Sequence, residues 1–158
     1  MTIERHLVLT AVTAGLIAGT IDVGAACVIN SASPTVILHA IASGLIGKAA
    51  RTGGLQTALL GLLLQWAMSI LIAAIYLAVT AAQPAWRRRW IPTGVIAGIV
   101  IFAVMNYLVV PLSAAPFRPA FTLHAVLTVF SVAKFLENLL AMIVFGLIVA
   151  YCARDRGT

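Results

Sequence analysis

The chain has 158 residues, of which 63% are hydrophobic and only 9% charged. A soluble domain needs about 25% charged residues to cover its surface, so the composition excludes one and predicts an all-α integral membrane protein whose outer face meets lipid. Ten Lys and Arg against four Asp and Glu give a formal charge of +6. The cations flank apolar runs instead of interleaving with aromatics on one face, which points to membrane lipids as partners and to no nucleic acid. Alternating ten-residue strands with turn signals are absent, which disfavours an outer-membrane barrel.

The first apolar run, 7–29, is longer than the roughly 20 residues that cross a hydrocarbon core. In it Gly15, Gly19, Asp22 and Ala26 follow at spacings of 4, 3 and 4, so they share one helical face. An acid at the centre of a span costs roughly 2.5–3.5 kcal/mol on the translocon scale, so Asp22 is expected to face a neighbouring helix. The segment "GAAC" at 24–27 resembles a lipoprotein cleavage site, but Gly24 stands where Leu is expected and Asp22 interrupts the apolar run. A retained helix is expected over a cleaved peptide.

Ser33 and Pro34 form a helix start, an N-cap followed by Pro at the first helical position. The helix they open, 34–51, is expected to end at Gly53 and Gly54. It is marginal for a span. Ile37, Leu38, Ile41, Leu45 and Ile46 cover one side, and His39, Ser43 and Arg51 lie on the other, so an interfacial or re-entrant helix is expected.

The run 54–80 spans and carries a stripe at every fourth residue: Thr57, Gly61, Gln65 and Ser69. Trp66 lies mid-span, in packing. Trp86 and Trp90 bracket Arg87, Arg88 and Arg89, as at an interface anchor, with Tyr76 and Tyr151 near the same level. The third span, 92–112, contains Gly94 and Gly98, then Asn106 and Tyr107. Three prolines in 111–126 predict an outer loop, with a short interfacial helix over 120–131 and His124 on the surface. The last span, 132–152, begins with Lys134, Glu137 and Asn138.

Positive residues concentrate on the cytoplasmic side. If 34–51 does not span, one side holds six cations (Arg5, Arg87, Arg88, Arg89, Arg154, Arg156) and the other four (Lys48, Arg51, Arg118, Lys134). If it spans, the count is five against five. The expected fold is therefore a four-transmembrane-helix bundle plus a short interfacial or re-entrant helix, as one domain over 1–158 with both termini cytoplasmic.

This topology places Asp22, Asn106, Glu137 and Asn138 in the outer half, Gln65 near the middle and His39 on the same side. Together they form a candidate intramembrane polar cluster. Lys134 and Glu137 are spaced as an i,i+3 pair. Gly15, Gly19, Gly94 and Gly98 are the expected helix-packing positions. The two GxxxG pairs suit packing within the chain or a homo-oligomer, and four spans in one chain favour the first. No GxSxG, HExxH or CxxC pattern occurs, so no catalytic, cofactor or metal residues are expected, and no enzyme. Cys27 and Cys152 fall on opposite sides.

The segments "IASGLIGKAARTGGLQTALLGLLL" (41–64) and "VMNYLVVPLSAAP" (104–116) resemble a family of small bacterial membrane proteins of unknown function. The order of blocks is similar over most of the chain. Two family histidines correspond here to Gln65 and Ala141. The resemblance implies a bacterial inner-membrane setting and offers no activity to carry over. Two functional readings follow. In the first the polar residues hold helices together in a non-enzymatic structural or accessory protein. In the second, a small transporter or channel subunit moves protons, ions or a small solute through the cluster.

Overall fold

A computed structural model of the chain describes residues 2–114 and 129–154. The helices α1 (Thr2–Asn30), α2 (Pro34–Ile46), α3 (Gly54–Ala81), α4 (Pro84–Arg88), α5 (Trp90–Val104) and α6 (Val129–Ala153) follow in order, with no strand among the described residues. Four stretches are long and apolar enough to cross a membrane: Arg5–Asn30, Gly54–Ala81, Trp90–Leu112 and Val132–Ala153. Large apolar side chains stay exposed on all four, among them Ile17, Leu63, Ile96 and Leu140, as a lipid-facing surface requires. The molecule is an all-α, multi-pass membrane bundle with one short additional helix, α2. Arg118, His124, Arg156 and most of the helix expected over 120–131 lie outside the described residues.

Local chemistry sets the helix ends. Ser33 Oγ accepts from the Val36 amide at 3.4 Å and Pro34 opens α2. The α-helix stops at Ile46, earlier than the sequence suggests, because Gly47 takes φ 64° and turns the chain into a 3₁₀ segment, Gly47–Thr52. Gly54, also at positive φ (62°), then opens α3. α5 widens into a π turn at Met105–Val109, where the Val110 amide reaches back to Met105 O. Pro111 explains it: Pro lacks the amide for the usual bond and crowds the carbonyl four residues back. The chain stays helical through Leu112, so the loop expected from 111 starts one turn later.

The helices stand in the spatial order α5, α6, α1, α3, α2. Three of the junctions are built on glycine. A Cβ added at Gly15 would lie 2.5 Å from Ile70 Cα, and one at Gly19 2.5 Å from Ser69 Oγ, so α1 touches the α3 backbone. At the α5–α6 junction three glycines meet. A Cβ at Gly98 would lie 2.5 Å from Ile143 Cα, and one at Gly146 would run into the Gly94 carbonyl. Gly61 of α3 is pressed against the Leu38 carbonyl of α2. Both GxxxG pairs are thus covered by helices of the same chain. Ala14, Ala18, Ala73, Phe145 and Val149 form the core between α1, α3 and α6.

At one end Ala11, Leu77 and Ala153 pack together, which brings the N-terminal part of α1, the α3–α5 connection and the end of α6 to one level. The arginine cluster lies there. Arg87 is buried; its Nε donates to Thr80 Oγ1 (3.3 Å) and its Nη2 to Leu77 O (3.1 Å), a cation at the carbonyl end of α3. Tyr76 Oη donates to Thr93 Oγ1 at 3.1 Å. Trp90 and Tyr151 meet edge to face, with ring centroids 5.4 Å apart, and the Arg154 guanidinium lies 3.7 Å from the Tyr151 centroid. At the opposite end α2 docks on the start of α3, and the Ala114 amide donates to Gly44 O at 2.9 Å, tying α2 to the end of α5.

Gly98→Ala should destabilise the protein by about 1–3 kcal/mol, the range for overpacking a tight contact. Gly24→Ala, where nothing lies within 4 Å, should leave the melting temperature in detergent unchanged. Equal melting temperatures for the two variants would refute the glycine seam. Arg87→Ala should lose about 1.5–3 kcal/mol, the range for hydrogen bonds to a charged group. Arg88→Ala, at an exposed position, should stay within the range of an ordinary surface change.

Candidate functional site

Most hydroxyls and amides in the spans satisfy themselves on their own helix. Thr10, Thr20, Thr57 and Thr80 each donate to the carbonyl four residues back, at 2.7–3.0 Å. Asn106 Nδ2 donates to Phe102 O (2.8 Å) and Asn138 Nδ2 to Lys134 O (2.7 Å) in the same way. Such back-bonding hides a polar group from lipid without linking helices.

Asp22 and Gln65 do otherwise. Gln65 Nε2 donates to Asp22 Oδ2 at 2.8 Å and lies 3.4 Å from Gly19 O. The stripe on α3 explains the meeting: Gly61 is pressed against α2, and one and two turns further on Gln65 and Ser69 face the Gly15–Gly19 face of α1. One residue along, Trp66 Nε1 donates to Thr20 Oγ1 at 3.2 Å, a second α3–α1 tie. The sequence reading missed it, although Thr20 and Trp66 flank the Asp22–Gln65 pair in both helices.

The remaining cluster residues do not join this pair. His39 Nε2 lies 2.8 Å from Gly54 O and fixes α2 to the first turn of α3. Asn106 and Asn138 bond back to their own helices, as above. Lys134 Nζ donates to Ile29 O at 3.4 Å, at the end of α1. Among the described residues no ion pair links Lys134 to Glu137, which corrects the expected i,i+3 pair. Glu137 is exposed.

Beside the Asp22 seam runs a slot of about 350 Å³ between α1 and α6. Its floor is small, with Ala18, Ala25 and Ala141; Asp22 and Glu137 both line it. α1 and α6 pack through Ala11, Ala14, Ala18, Phe145, Val149 and Ala153 towards the arginine end, and towards the α2 end the slot lies between them. Among the described residues no group of three His, Cys, Asp or Glu could hold a metal ion. Cys27 and Cys152 lie at opposite ends of the bundle and are not joined in a disulfide. No protein-family model, curated protein or solved structure matches the chain.

Proposed function

We propose that the protein is a non-enzymatic structural or accessory component of a bacterial inner membrane. Its termini and arginine cluster are cytoplasmic, and its intramembrane polar residues hold helices together. The observation that carries this reading is the Asp22–Gln65 hydrogen bond, which joins α1 to α3 across 43 residues of sequence. In lipid an acid and an amide each lose water. Their mutual bond offsets part of that and fixes the register of the two helices.

What supports cohesion over conduction is the dispersal of the other polar groups. A relay through the cluster needs His39, Asn106 and Asn138 beside Asp22. Instead each bonds a backbone carbonyl, His39 at the foot of α3 and the two asparagines on their own helices. The cytoplasmic assignment of the arginine end rests on the excess of cations there, and the aromatic pair Trp90–Tyr151 at the same level suits a membrane interface.

A double-mutant cycle on Asp22→Ala and Gln65→Ala, followed by unfolding in mixed micelles, should give a coupling of about 0.6–2 kcal/mol, as for other intramembrane hydrogen bonds. A coupling of zero removes the tie from the account of stability. Orientation is testable in a Cys27→Ser/Cys152→Ser background with a membrane-impermeant thiol reagent. The Thr52→Cys variant should label in intact cells, and the Gln83→Cys variant only after permeabilisation. The opposite pattern would overturn the cytoplasmic assignment.

A further inference from the structure

Arg87, Arg88 and Arg89 stand together on the connection between α3 and α5, but the fold uses only the side chain of the first. Arg87 turns inward to Thr80 and Leu77. Arg88 and Arg89 are exposed, and among the described residues their side chains make no hydrogen bond, ion pair or ring contact. The backbone that carries them is held firmly. Thr93 Oγ1 lies 3.1 Å from Trp86 O, 2.8 Å from Arg89 O and 3.3 Å from Trp90 O, and it accepts from Tyr76 Oη. The Arg89 amide donates to Ala85 O at 3.2 Å. Two guanidinium groups are thus presented from a fixed backbone, which lowers the ordering cost of binding an anion.

The surroundings narrow the choice of anion. The acids whose side chains are described lie far away: Asp22 is about 25 Å along α1 from Arg5, and Glu137 about 25 Å along α6 from Arg154, at 1.5 Å per residue. A headgroup ammonium would be repelled by the same arginines. The exposed ring of Tyr151 offers it no face either, because the Arg154 guanidinium already lies 3.7 Å from its centroid. Further into the span Pro92, Ile96 and Val100, four residues apart, form an exposed apolar face of α5. That face is turned away from the Gly94–Gly98 seam with α6. An anion held by Arg88 and Arg89 therefore has hydrocarbon-compatible surface directly beneath it.

We propose that Arg88 and Arg89 bind the phosphate of an anionic phospholipid whose headgroup carries no ammonium, with an acyl chain lying along Pro92, Ile96 and Val100. A guanidinium grips two phosphate oxygens at once, which a lysine ammonium does not. This role goes beyond helix cohesion, and it holds whichever face of the membrane the arginine end occupies.

The test uses the full chain in phosphatidylcholine nanodiscs containing a minor fraction of phosphatidylglycerol brominated near the top of its acyl chains. A bound lipid then quenches the fluorescence of Trp86 and Trp90, which flank the arginines. Brominated phosphatidylcholine at the same fraction is the reference. Each arginine near the surface favours an anionic lipid about fivefold, so phosphatidylglycerol should quench the wild type at a mole fraction about tenfold or more below the reference lipid. The double variant Arg88→Gln/Arg89→Gln should abolish that difference with an unchanged melting temperature. Arg5→Gln removes an exposed cation of the same end and should preserve it. Three results would each overturn the proposal. Equal quenching of the wild type by the two lipids would mean no preference. Equal loss in Arg5→Gln and in the double variant would mean diffuse charge in place of a site. Displacement of the brominated phosphatidylglycerol by inorganic phosphate at constant ionic strength would make a soluble phosphate the ligand.

Discussion

Lipid tails solvate apolar side chains as well as another helix does, so close approach of backbones must hold this molecule together. That constraint explains where its glycines lie. Gly15 and Gly19 admit the α3 backbone at Ile70 and Ser69, Gly94 and Gly98 admit α6 around Gly146, and Gly61 admits the Leu38 carbonyl. Each contact replaces lipid by fixed protein atoms at van der Waals distance, and a single added methyl group would force the helices apart. Gly24, with open space around it, shows that glycine content alone is not the signal; its place on a contact face is.

The second constraint is that a polar group in the bilayer must find a partner or pay for its absence. The chain meets it in two ways. Threonines and asparagines bend back to the preceding turn, which leaves the helix free to sit anywhere. Gln65 and Trp66 reach Asp22 and Thr20 on α1, which does not. Glycine proximity brings the α1 and α3 backbones together, and the two side-chain bonds then select one register. At the ends the same rule is met by charge: Arg87 satisfies carbonyl and hydroxyl oxygens at the end of α3, and Lys134 does so at the end of α1.

Much of this architecture was legible in the residues because lipid makes the code simple. Apolar runs of span length predicted four long helices, and Ser33 with Pro34 marked the start of α2. The stripe Thr57–Gly61–Gln65–Ser69 and the Asp22 face were readable at helical spacing, and they meet. What one-dimensional spacing did not give was partner choice. The expected topology sets His39, Asn106 and Asn138 in the same half as Asp22, but depth does not say which way a helix turns. Nor did it say that a carbonyl four residues back would satisfy each asparagine before a second helix arrived. Lys134 and Glu137 are correctly spaced to pair, yet Lys134 Nζ donates to the carbonyl of Ile29 on another helix. The end of α2 depended on Gly47 adopting positive φ, which its sequence position permits without requiring.

The slot follows from the same packing rule that builds the seams. Two helices that cross at an angle separate away from the crossing, and small side chains there leave the gap open. Between α1 and α6 the contact is tight from Ala11 to Ala18, where it meets Phe145, Val149 and Ala153. Beyond that level the facing residues stay small, Ala25 and Ala141, and the gap stays open. Leucines there would have closed it with no conflict with the glycine seams, which lie on other faces. The small floor is therefore separable from what cohesion demands. Asp22 belongs to both arrangements: its bond to Gln65 anchors α3, and its position on α1 also sets it at the border of the slot, opposite Glu137 of α6.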